Sequence, residues 1–335
     1  MCGLKEKNFE ADIESWLLDE GGYEKGNQDN YDKERAIDMT ALINYISKTQ
    51  PKQWQRYLTI YGDNAERQLY KVFQQNVLDS GLIYVLRHGI NDRGVELRVC
   101  YFAPASELNE DLVEKYQANV LTETRQFHYS LQNDNSIDMV LSLNGIPVIA
   151  IELKNQFTGQ SIENSKRQWR EDRDPKEFLF HFNNRILVYF GADLYEVCMA
   201  TELNKEKTFF MPFNQGSNGA GNVGGAGNPQ AENGEYVTKY FWEKVLRRDM
   251  LLSILQRYIS VQKEEKLKII VDKHGKEKEK KESSVKIIFP RYHQLDVVEK
   301  LVEATKQQTD GHNYLIEHSA GSGKSNSIAW LTYRL

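Results

Sequence analysis

Apolar side chains in the first part of the chain recur at the spacing of an α-helix. The residues that share one helical face are Phe9, Ile13, Trp16 and Leu17. Gly21 and Gly22 follow them and are typical of a helix end, because glycine accepts the backbone angles of a C-terminal cap. We therefore predict helical structure over residues 7–48, and the same spacing predicts a second helical region over residues 237–262.

Two stretches rich in valine, isoleucine and tyrosine predict β-structure. They cover residues 80–104 and 127–153, and turn residues interrupt both of them. Strands placed between helical regions predict a protein of the α/β class.

Two polar stretches divide the chain. Residues 214–234 are rich in glycine and asparagine and predict a mobile surface loop. Residues 263–286 are highly charged and predict either an interdomain linker or the tip of a solvated hairpin. We therefore predict a first domain over residues 1–262 and a second over residues 287–335.

Composition agrees with this division. A chain of 335 residues with 40% hydrophobic content is long enough for two domains with sizeable cores. No run approaches the ~18 apolar residues of a membrane span, and the first residues lack the apolar core of a signal peptide. The 3 cysteines show no metal-binding spacing. These features predict a soluble, cytoplasmic protein, and the net charge of −5 neither favours nor excludes nucleic acid.

The candidate chemistry lies on two apolar strands that meet at Asn144–Gly145, a strong hairpin signal. In the second strand Glu152 and Lys154 share one face and alternate with apolar residues. Such a pair is unfavourable in an apolar strand unless its members contact each other or a metal ion. A three-residue loop would place Asp138 opposite Glu152 on the same face, whereas a two-residue loop would place the two on opposite faces.

If they share a face, Asp138, Glu152 and Lys154 predict a magnesium site. Mg²⁺ prefers oxygen ligands and binds through one or two carboxylates while it keeps several waters, so Asp138 and Glu152 are the candidate ligands. The metal would lower the pKa of a bound water and stabilise a phosphate under attack, and Lys154 would orient that water or help to deprotonate it. The alternative is an ordinary Glu–Lys pair on an exposed edge strand.

A glycine-rich loop over residues 318–325 predicts a phosphate-binding site. An apolar run of strand type precedes the loop at residues 314–316, and a predicted helix follows at residues 327–335. This order of strand, loop and helix is the context that such a loop requires. The strict pattern begins with glycine where this chain has His318, so only the second part of the pattern matches.

The residues of this loop with expected nucleotide contacts are Gly321, Gly323, Lys324 and Ser325. Backbone N–H groups would hold phosphate oxygens, the lysine would add a positive charge, and the serine hydroxyl would bind Mg²⁺. A second glycine pattern, Gly219–Gly224, matches a dinucleotide-binding fingerprint. No helix pattern follows it, so we interpret it as part of the surface loop.

Several motifs in this chain together resemble the R subunits of type I restriction–modification enzymes. In chain order they are Thr124–Gln126, Asn144–Pro147, Glu152–Asn155, Arg173–Pro175, Tyr240–Leu246 and Phe289–Gln294. Asp138 with Glu152 and Lys154 is similar to the PD-(D/E)xK nuclease core, with Ile137 in place of the proline. The loop at residues 318–325 resembles motif I of superfamily 2 helicases and translocases. The resemblance extends from about Phe9 to Leu335.

This resemblance implies a restriction-endonuclease-like domain with a mixed sheet flanked by helices, followed by the truncated start of a RecA-like domain. It implies Mg²⁺-dependent cleavage of double-stranded DNA, coupled in the full-length protein to ATP-driven translocation. The implied partners are DNA and the methyltransferase and specificity subunits. Two alternatives stay open, a nuclease–helicase of DNA repair or defence outside restriction, and a non-catalytic module that docks on a methyltransferase complex.

The resemblance also assigns roles to single residues. Asp138 and Glu152 resemble the metal-binding carboxylates of the family, and Lys154 resembles its catalytic lysine. A helix near the start of this nuclease class supplies a further acidic residue, for which we predict Glu14, with Glu10 as the next choice.

Three further positions have weaker matches. Gln294 resembles the glutamine that reads adenine before motif I. Related nucleases have a Q-x-x-x-Y helix, but Gln168 is followed at the fourth position by Asp172, so the tyrosine is missing. Gln168 and Arg170 still predict contacts with DNA. The cations around Trp169 predict phosphate contacts or a solvated helix face, and they are Lys166, Arg167, Arg170 and Arg173.

Overall fold

A computed structural model describes residues 6–155, 159–231, 234–271, 277–307, 311–319 and 321–335. The strands are β1 (Glu24–Lys25), β2 (Ile90–Asp92), β3 (Val95–Leu97), β4 (Leu121–His128), β5 (Ser136–Leu143), β6 (Ile146–Leu153), β7 (Val188–Ala192), β8 (Val197–Ala200), β9 (Met211–Pro212), β10 (Ser260–Val271) and β11 (Glu277–Ile288). The helices are α1 (Glu6–Asp19), α2 (Met39–Thr49), α3 (Pro51–Tyr61), α4 (Ala65–Ser80), α5 (Leu82–His88), α6 (Glu110–Gln117), α7 (Ile162–Glu171), α8 (Arg248–Ser253), α9 (Tyr292–Gln307) and α10 (Lys324–Arg334).

A 7-stranded mixed sheet organises the fold, with the strand order β1-β4-β5-β6-β7-β8-β9. The strands β4, β5 and β6 pair antiparallel, whereas β6 and β7 are parallel. Every residue of β6 is buried. This burial explains the nearly continuous apolar sequence of the strand, since a strand covered on both faces has no solvent side.

Helices cover both faces of the sheet. On one face α1 contributes Phe9, Ile13 and Leu17 to a large core that also contains Ile149 and Ile151 of β6. On the other face Trp169 of α7 packs with a smaller core that includes Ala150. The two faces of β6 thus belong to different cores, as the alternation of its side chains predicts.

A glycine in β7 brings α7 close to the sheet. Gly191 pairs with Glu152 of β6. A Cβ atom on Gly191 would lie 2.3 Å from the hydroxyl of Ser165 in α7, so a larger residue would push the helix away. This close approach lets the hydroxyl of Ser165 donate a hydrogen bond of 3.5 Å to the carbonyl of Glu152.

The prediction of helical structure over residues 7–48 is confirmed in part. Helices α1 and α2 form at the two ends of this region, but β1 and irregular chain separate them. The predicted strands over residues 127–153 are also confirmed in part, as the end of β4 with β5 and β6. The β-prediction for residues 80–104 is wrong over residues 82–88, which form α5. A short apolar run is compatible with either a strand or a helix. In α5 the leucine and valine side chains are buried at helical spacing, so packing against the core favours the helix.

The charged stretch forms a hairpin in the part that the structure describes. Strands β10 and β11 pair antiparallel from Ser260 with Ile288 to Val271 with Glu277. The glycine-rich loop also has internal order, because Gly216 donates a hydrogen bond to Gly227 and Ser217 donates one to Gly225. No helix occurs in residues 225–231, which directly follow Gly224, and this agrees with the interpretation of the glycine pattern as part of a surface loop.

The last helices pack against each other and against the preceding segment. Trp330 of α10 contacts Tyr258 at 5.6 Å between ring centroids, and Arg334 forms a salt bridge of 3.0 Å with Glu299 of α9. The strand predicted at residues 314–316 is wrong. That segment is irregular and exposed, because no strand of the described residues lies beside it to accept its backbone hydrogen bonds.

Candidate active site

The β5–β6 hairpin combines a two-residue turn with a bulge. Leu143 pairs with Ile146, and the turn residues Asn144 and Gly145 have positive φ angles of 50° and 83°. Between Leu141 and Ser142 the register shifts by one residue. The bulge adds the residue that a two-residue turn lacks, and the resulting register continues to Asp138 opposite Glu152.

The hairpin therefore brings the three predicted residues together on one face. The Nζ atom of Lys154 lies 3.2 Å from Oδ2 of Asp138 and 3.7 Å from Oε2 of Glu152. Asp138 also accepts a hydrogen bond of 2.8 Å from the backbone N–H of Leu153, and Lys154 donates one of 3.0 Å to the carbonyl of Leu153. These contacts fix both side chains against the strand. A simple pair on an exposed edge is excluded, because β6 lies inside the sheet.

Arg173 holds Glu152 from the other side. Its Nε and Nη2 atoms lie 3.1 Å and 2.5 Å from Oε1 of Glu152, and Nη2 donates a further 2.7 Å hydrogen bond to the carbonyl of Ser136. The guanidinium is buried against the rings of Tyr129 and Trp169. It forms a rigid buried ion pair and leaves the second oxygen of the carboxylate free of it.

The environment strongly perturbs Glu152. Its side chain is 0% exposed. Burial and the nearby carboxylate of Asp138 raise the pKa of Glu152 to about 8, although Arg173 and Lys154 act in the opposite direction. A cation next to this carboxylate would favour its ionised form.

The two carboxylates fit a magnesium ion. Within the described residues Oε2 of Glu152 is buried and accepts no hydrogen bond, an unfavourable state for a carboxylate oxygen. It lies on the same side as Asp138, so the two side chains can provide one oxygen each. No group of three acidic, histidine or cysteine side chains with metal-binding geometry occurs among these residues. Two carboxylates match the preference of Mg²⁺ for few protein ligands and several waters.

The acidic residues of α1 lie beside this centre and bind Arg125 of β4. Arg125 contacts Oε2 of Glu10 at 2.9 Å and Oε2 of Glu14 at 2.8 Å, and Lys25 contacts Glu14 at 3.0 Å. Burial and the charge of Asp138 raise the pKa of Glu10. Burial alone would raise the pKa of Glu14, but the hydrogen bonds from Arg125 and Lys25 outweigh burial and lower that pKa. Of the two, Glu10 thus interacts with Asp138, while Glu14 is held by two cations.

A further carboxylate, that of Glu123 in β4, is buried beside Glu14 and Arg125. Its side-chain oxygens accept no hydrogen bond from any described residue, and the residue is 0% exposed. Burial and the negative charge of Glu14 raise the pKa of Glu123 to about 7. The group is therefore partly protonated near neutral pH.

The residues of α7 and its C-terminal end that the sequence predicts to contact DNA differ in their exposure. Gln168 and Arg170 are half-buried, and Arg170 donates a 3.2 Å hydrogen bond to the carbonyl of Thr208. Arg167 is exposed. The prediction that Arg173 binds phosphate is wrong, because its guanidinium is buried and both of its hydrogen-bonding edges are used inside the protein.

The glycine-rich loop that the sequence predicts to bind phosphate is held by Gln294 at two backbone carbonyls. The side-chain amide of Gln294 donates hydrogen bonds of 3.1 Å to the carbonyl of Ser322 and 3.0 Å to that of Gly323, and its oxygen accepts one from Arg291. This buried amide is occupied by the loop itself. Lys324 and Ser325 are exposed at the start of α10, which begins earlier than the sequence predicts. The roles of these residues and Gly321 in nucleotide binding stay a prediction.

Sequence reasoning missed Arg125 and Glu123 as neighbours of the site and misassigned Arg173. Arg125 belongs to the motif Thr124–Gln126, so a signal for it was present. Glu123 offers a weaker signal, a lone acidic residue in a strand. For Arg173 the signal was its position in an Arg-Asp-Pro motif just after α7, but only the fold brings it within reach of Glu152.

The seven-stranded mixed sheet, with helices on both faces and two carboxylates beside a lysine, is consistent with a nuclease-like α/β domain. Residues 4–210 match the family described as type I restriction enzyme R protein N terminus. The chain therefore belongs to this family. All of the residues described above from α1, β4–β6 and the end of α7 lie within the matched region.

One relative is described as a "Putative type I restriction enzyme MjaVIIIP endonuclease subunit" from Methanocaldococcus jannaschii. It is 28% identical over 209 residues, which cover 59% of this chain and 17% of the relative. The chain thus matches only a small part of a much longer protein. In the described parts of the chain, no helix has the length and apolar character needed to cross a membrane.

Proposed function

We propose that this chain is the endonuclease part of a type I restriction enzyme R subunit and hydrolyses phosphodiester bonds in double-stranded DNA with Mg²⁺. The observation that carries the proposal is the convergence of Asp138, Glu152 and Lys154 on one face of a buried hairpin. Membership of the R protein family supports the same activity.

Asp138 and Glu152 would hold the metal ion, and Glu152 would use Oε2, the oxygen that Arg173 does not contact and that accepts no hydrogen bond in the described residues. When bound, Mg²⁺ supplies positive charge that stabilises the phosphate under attack and makes a coordinated water more acidic. Water attacks phosphorus, one bond from phosphorus to a sugar oxygen breaks, and that oxygen takes up a proton.

Lys154 would act on the phosphate and the water. Its ammonium is held by Asp138 and by the carbonyl of Leu153, so its position is restricted before substrate binds. A fixed positive charge beside the scissile phosphate favours the transition state more than a mobile one, because no reorganisation is needed. Its remaining hydrogen-bonding capacity can orient the attacking water.

The larger assembly is part of the proposal. The full-length protein would couple cleavage to ATP-driven DNA translocation, with a RecA-like motor that begins with residues 287–335 of this chain. It would act in the cytoplasm with methyltransferase and specificity subunits, which supply sequence recognition. The exposed Lys324 and Ser325 would then contact ATP once the rest of the motor surrounds the loop.

The test measures DNA cleavage by the full-length R subunit assembled with its methyltransferase and specificity subunits. We expect Asp138→Ala and Lys154→Ala to reduce cleavage by on the order of 10²-fold or more while folding is retained. The matched controls Asp134→Ala and Lys176→Ala change exposed residues and should cleave normally. Normal cleavage by either site variant would refute the assignment and favour a non-catalytic assembly module. Cleavage without the partner subunits would favour a nuclease outside restriction.

A further inference from the structure

A groove along α4, whose lining residues do not belong to the β5–β6 hairpin, has the character of an anion-binding surface. It has a volume of about 610 Å³, and the polar side chains along it include Arg35, Arg67, Lys71, Gln74 and Gln75. No carboxylate is among the described residues that line the groove, although Asp92 accepts a hydrogen bond from the lining residue Tyr61 and Asp79 accepts one from Gln75. The neutral amides and the cations are the side chains that proteins commonly use on phosphate groups.

Two cations of this groove have no acidic partner. Arg67 and Lys71 are one helical turn apart on α4, and both are exposed. Neither forms a salt bridge in the described part of the chain, although Arg35 pairs with Asp32 and Glu66 at its edge. Two like charges at this spacing weaken a helix slightly, so a bound anion would relieve the repulsion.

A buried guanidinium lies behind the groove and is also without a counter-ion. Arg185 is 0% exposed, and it lies between the rings of Phe73 and Phe178 at 5.2 Å from each centroid. One of its nitrogens donates a 2.9 Å hydrogen bond to the side chain of Gln74, which lines the groove.

Its other hydrogen bonds in the described part of the chain go to neutral oxygens of Arg35, Ala36 and Asn184 and to the side chain of Tyr70. Burial lowers the pKa of Arg185 to about 10, so the group stays charged at neutral pH. A buried charge that lacks an opposite charge is unfavourable, and low-dielectric surroundings project its field toward the groove. The exposed cations and the buried one therefore act on the same surface.

We propose that this groove binds phosphate groups of the DNA backbone, at a contact separate from the cleavage site. The proposal rests on the proposed nuclease function for its choice of DNA as the anion. The side chains from Arg67 to Leu78 extend along about 16 Å of α4, which spans several phosphates of one strand. The contact would hold the duplex without reading its sequence.

The experiment compares two double variants of this chain with equal loss of charge. Arg67→Gln with Lys71→Gln changes the groove, whereas Lys52→Gln with Arg56→Gln changes an exposed pair at the same spacing on α3 that does not line it. Binding to a fluorescent 30-base-pair duplex is measured by anisotropy in EDTA at several salt concentrations. Thermal unfolding confirms that all proteins are folded.

We expect the groove variant to bind DNA about tenfold more weakly and its log–log salt slope to fall by about two, since each phosphate contact contributes about 0.9. The α3 variant should change affinity less than twofold. Equal effects of the two variants, no effect of either, or no binding by the wild-type chain would each overturn the proposal. Displacement of the duplex by polyglutamate more readily than by unlabelled DNA would also overturn it and indicate an acidic protein partner. Because no metal is present, the outcome is independent of the cleavage test at Asp138 and Lys154.

Discussion

Arg173 and Glu152 form a buried ion pair in which two nitrogens of the guanidinium contact a single carboxylate oxygen, at 3.1 Å and 2.5 Å. As a result, the two oxygens of the Glu152 carboxylate have different surroundings. One oxygen is committed to the protein, and the other remains free of hydrogen bonds beside Asp138. Arg173 therefore positions the carboxylate that we propose to bind the metal ion.

The first prediction concerns Arg173. Arg173→Met should destabilise the fold by roughly 3 kcal/mol, because it leaves a buried carboxylate without its partner. It should also raise the pKa of Glu152 further, since a cation that opposes the shift is lost. The pH at which Mn²⁺ binding reaches half of its maximum should then move upward, as measured by calorimetry. Arg173→Lys, which keeps the charge, should restore most of this pH dependence. An unchanged binding profile in Arg173→Met would limit the residue to a structural role.

The second prediction concerns pH and metal binding in the unmodified chain. The folded pKa of Glu152 is about 8, above its ordinary value of 4.5. Stability from this group is therefore fully present below about pH 4.5 and is lost as pH rises through about 8. Mg²⁺ binding must release the proton, so its apparent affinity should rise up to tenfold per pH unit below pH 8 and then level off. Thermal stabilisation by Mg²⁺ at pH 6, 7, 8 and 9 measures this trend, which a constant shift would contradict.

The third prediction separates Glu10 from Glu14. The sequence favours Glu14 as the acidic residue contributed by the first helix, but the charge of Asp138 acts on Glu10. Glu10→Gln should therefore reduce cleavage in the assembled complex more than Glu14→Gln, by about tenfold or more on the scale of a lost site charge. Both variants lose one contact with Arg125, and Glu14→Gln also loses the contact with Lys25, so a larger loss of cleavage in Glu10→Gln cannot come from a larger loss of ion pairs. The reverse order would restore Glu14 to the site.

The fourth prediction concerns Glu123. With a folded pKa of about 7, raised from 4.5, its favourable contribution is present at acidic pH and disappears as pH rises through 7. Glu123→Met removes a buried charge that accepts no hydrogen bond, so we expect stabilisation by about 1–3 kcal/mol at pH 8 and little change at pH 5. Urea unfolding at both pH values measures the difference. Destabilisation at pH 8 would mean that the ionised group has a function that the fold supports.

In the β5–β6 hairpin, the local sequence predicts the turn and the strand faces but not the full register. Asn144–Gly145 predicts the turn correctly, and alternation predicts that Glu152 and Lys154 share a face. The side of Asp138 depends on the number of residues between the paired positions. The bulge near Leu141 restores the shared face although the turn has two residues, and a bulge depends on packing that the local pattern does not encode.

Residues distant in sequence account for most of what could not be predicted. Arg173 is 21 positions from Glu152, and Arg125 is 115 positions from Glu10. Their basic character in the sequence suits a DNA surface as well as an internal ion pair. Only burial distinguishes the two, because a buried guanidinium needs internal partners whereas an exposed one does not.

By itself the sequence determined the apolar strands, the charged residues within them and the family to which the chain belongs. These depend on residue type and short spacing, which act locally. The tertiary structure decided the register of Asp138, the inward direction of Arg173, the helical state of residues 82–88 and the absence of a strand at residues 314–316. Each of these depends on which distant segment supplies a partner. Hydrogen bonds and ion pairs away from water form only when the fold brings both members together.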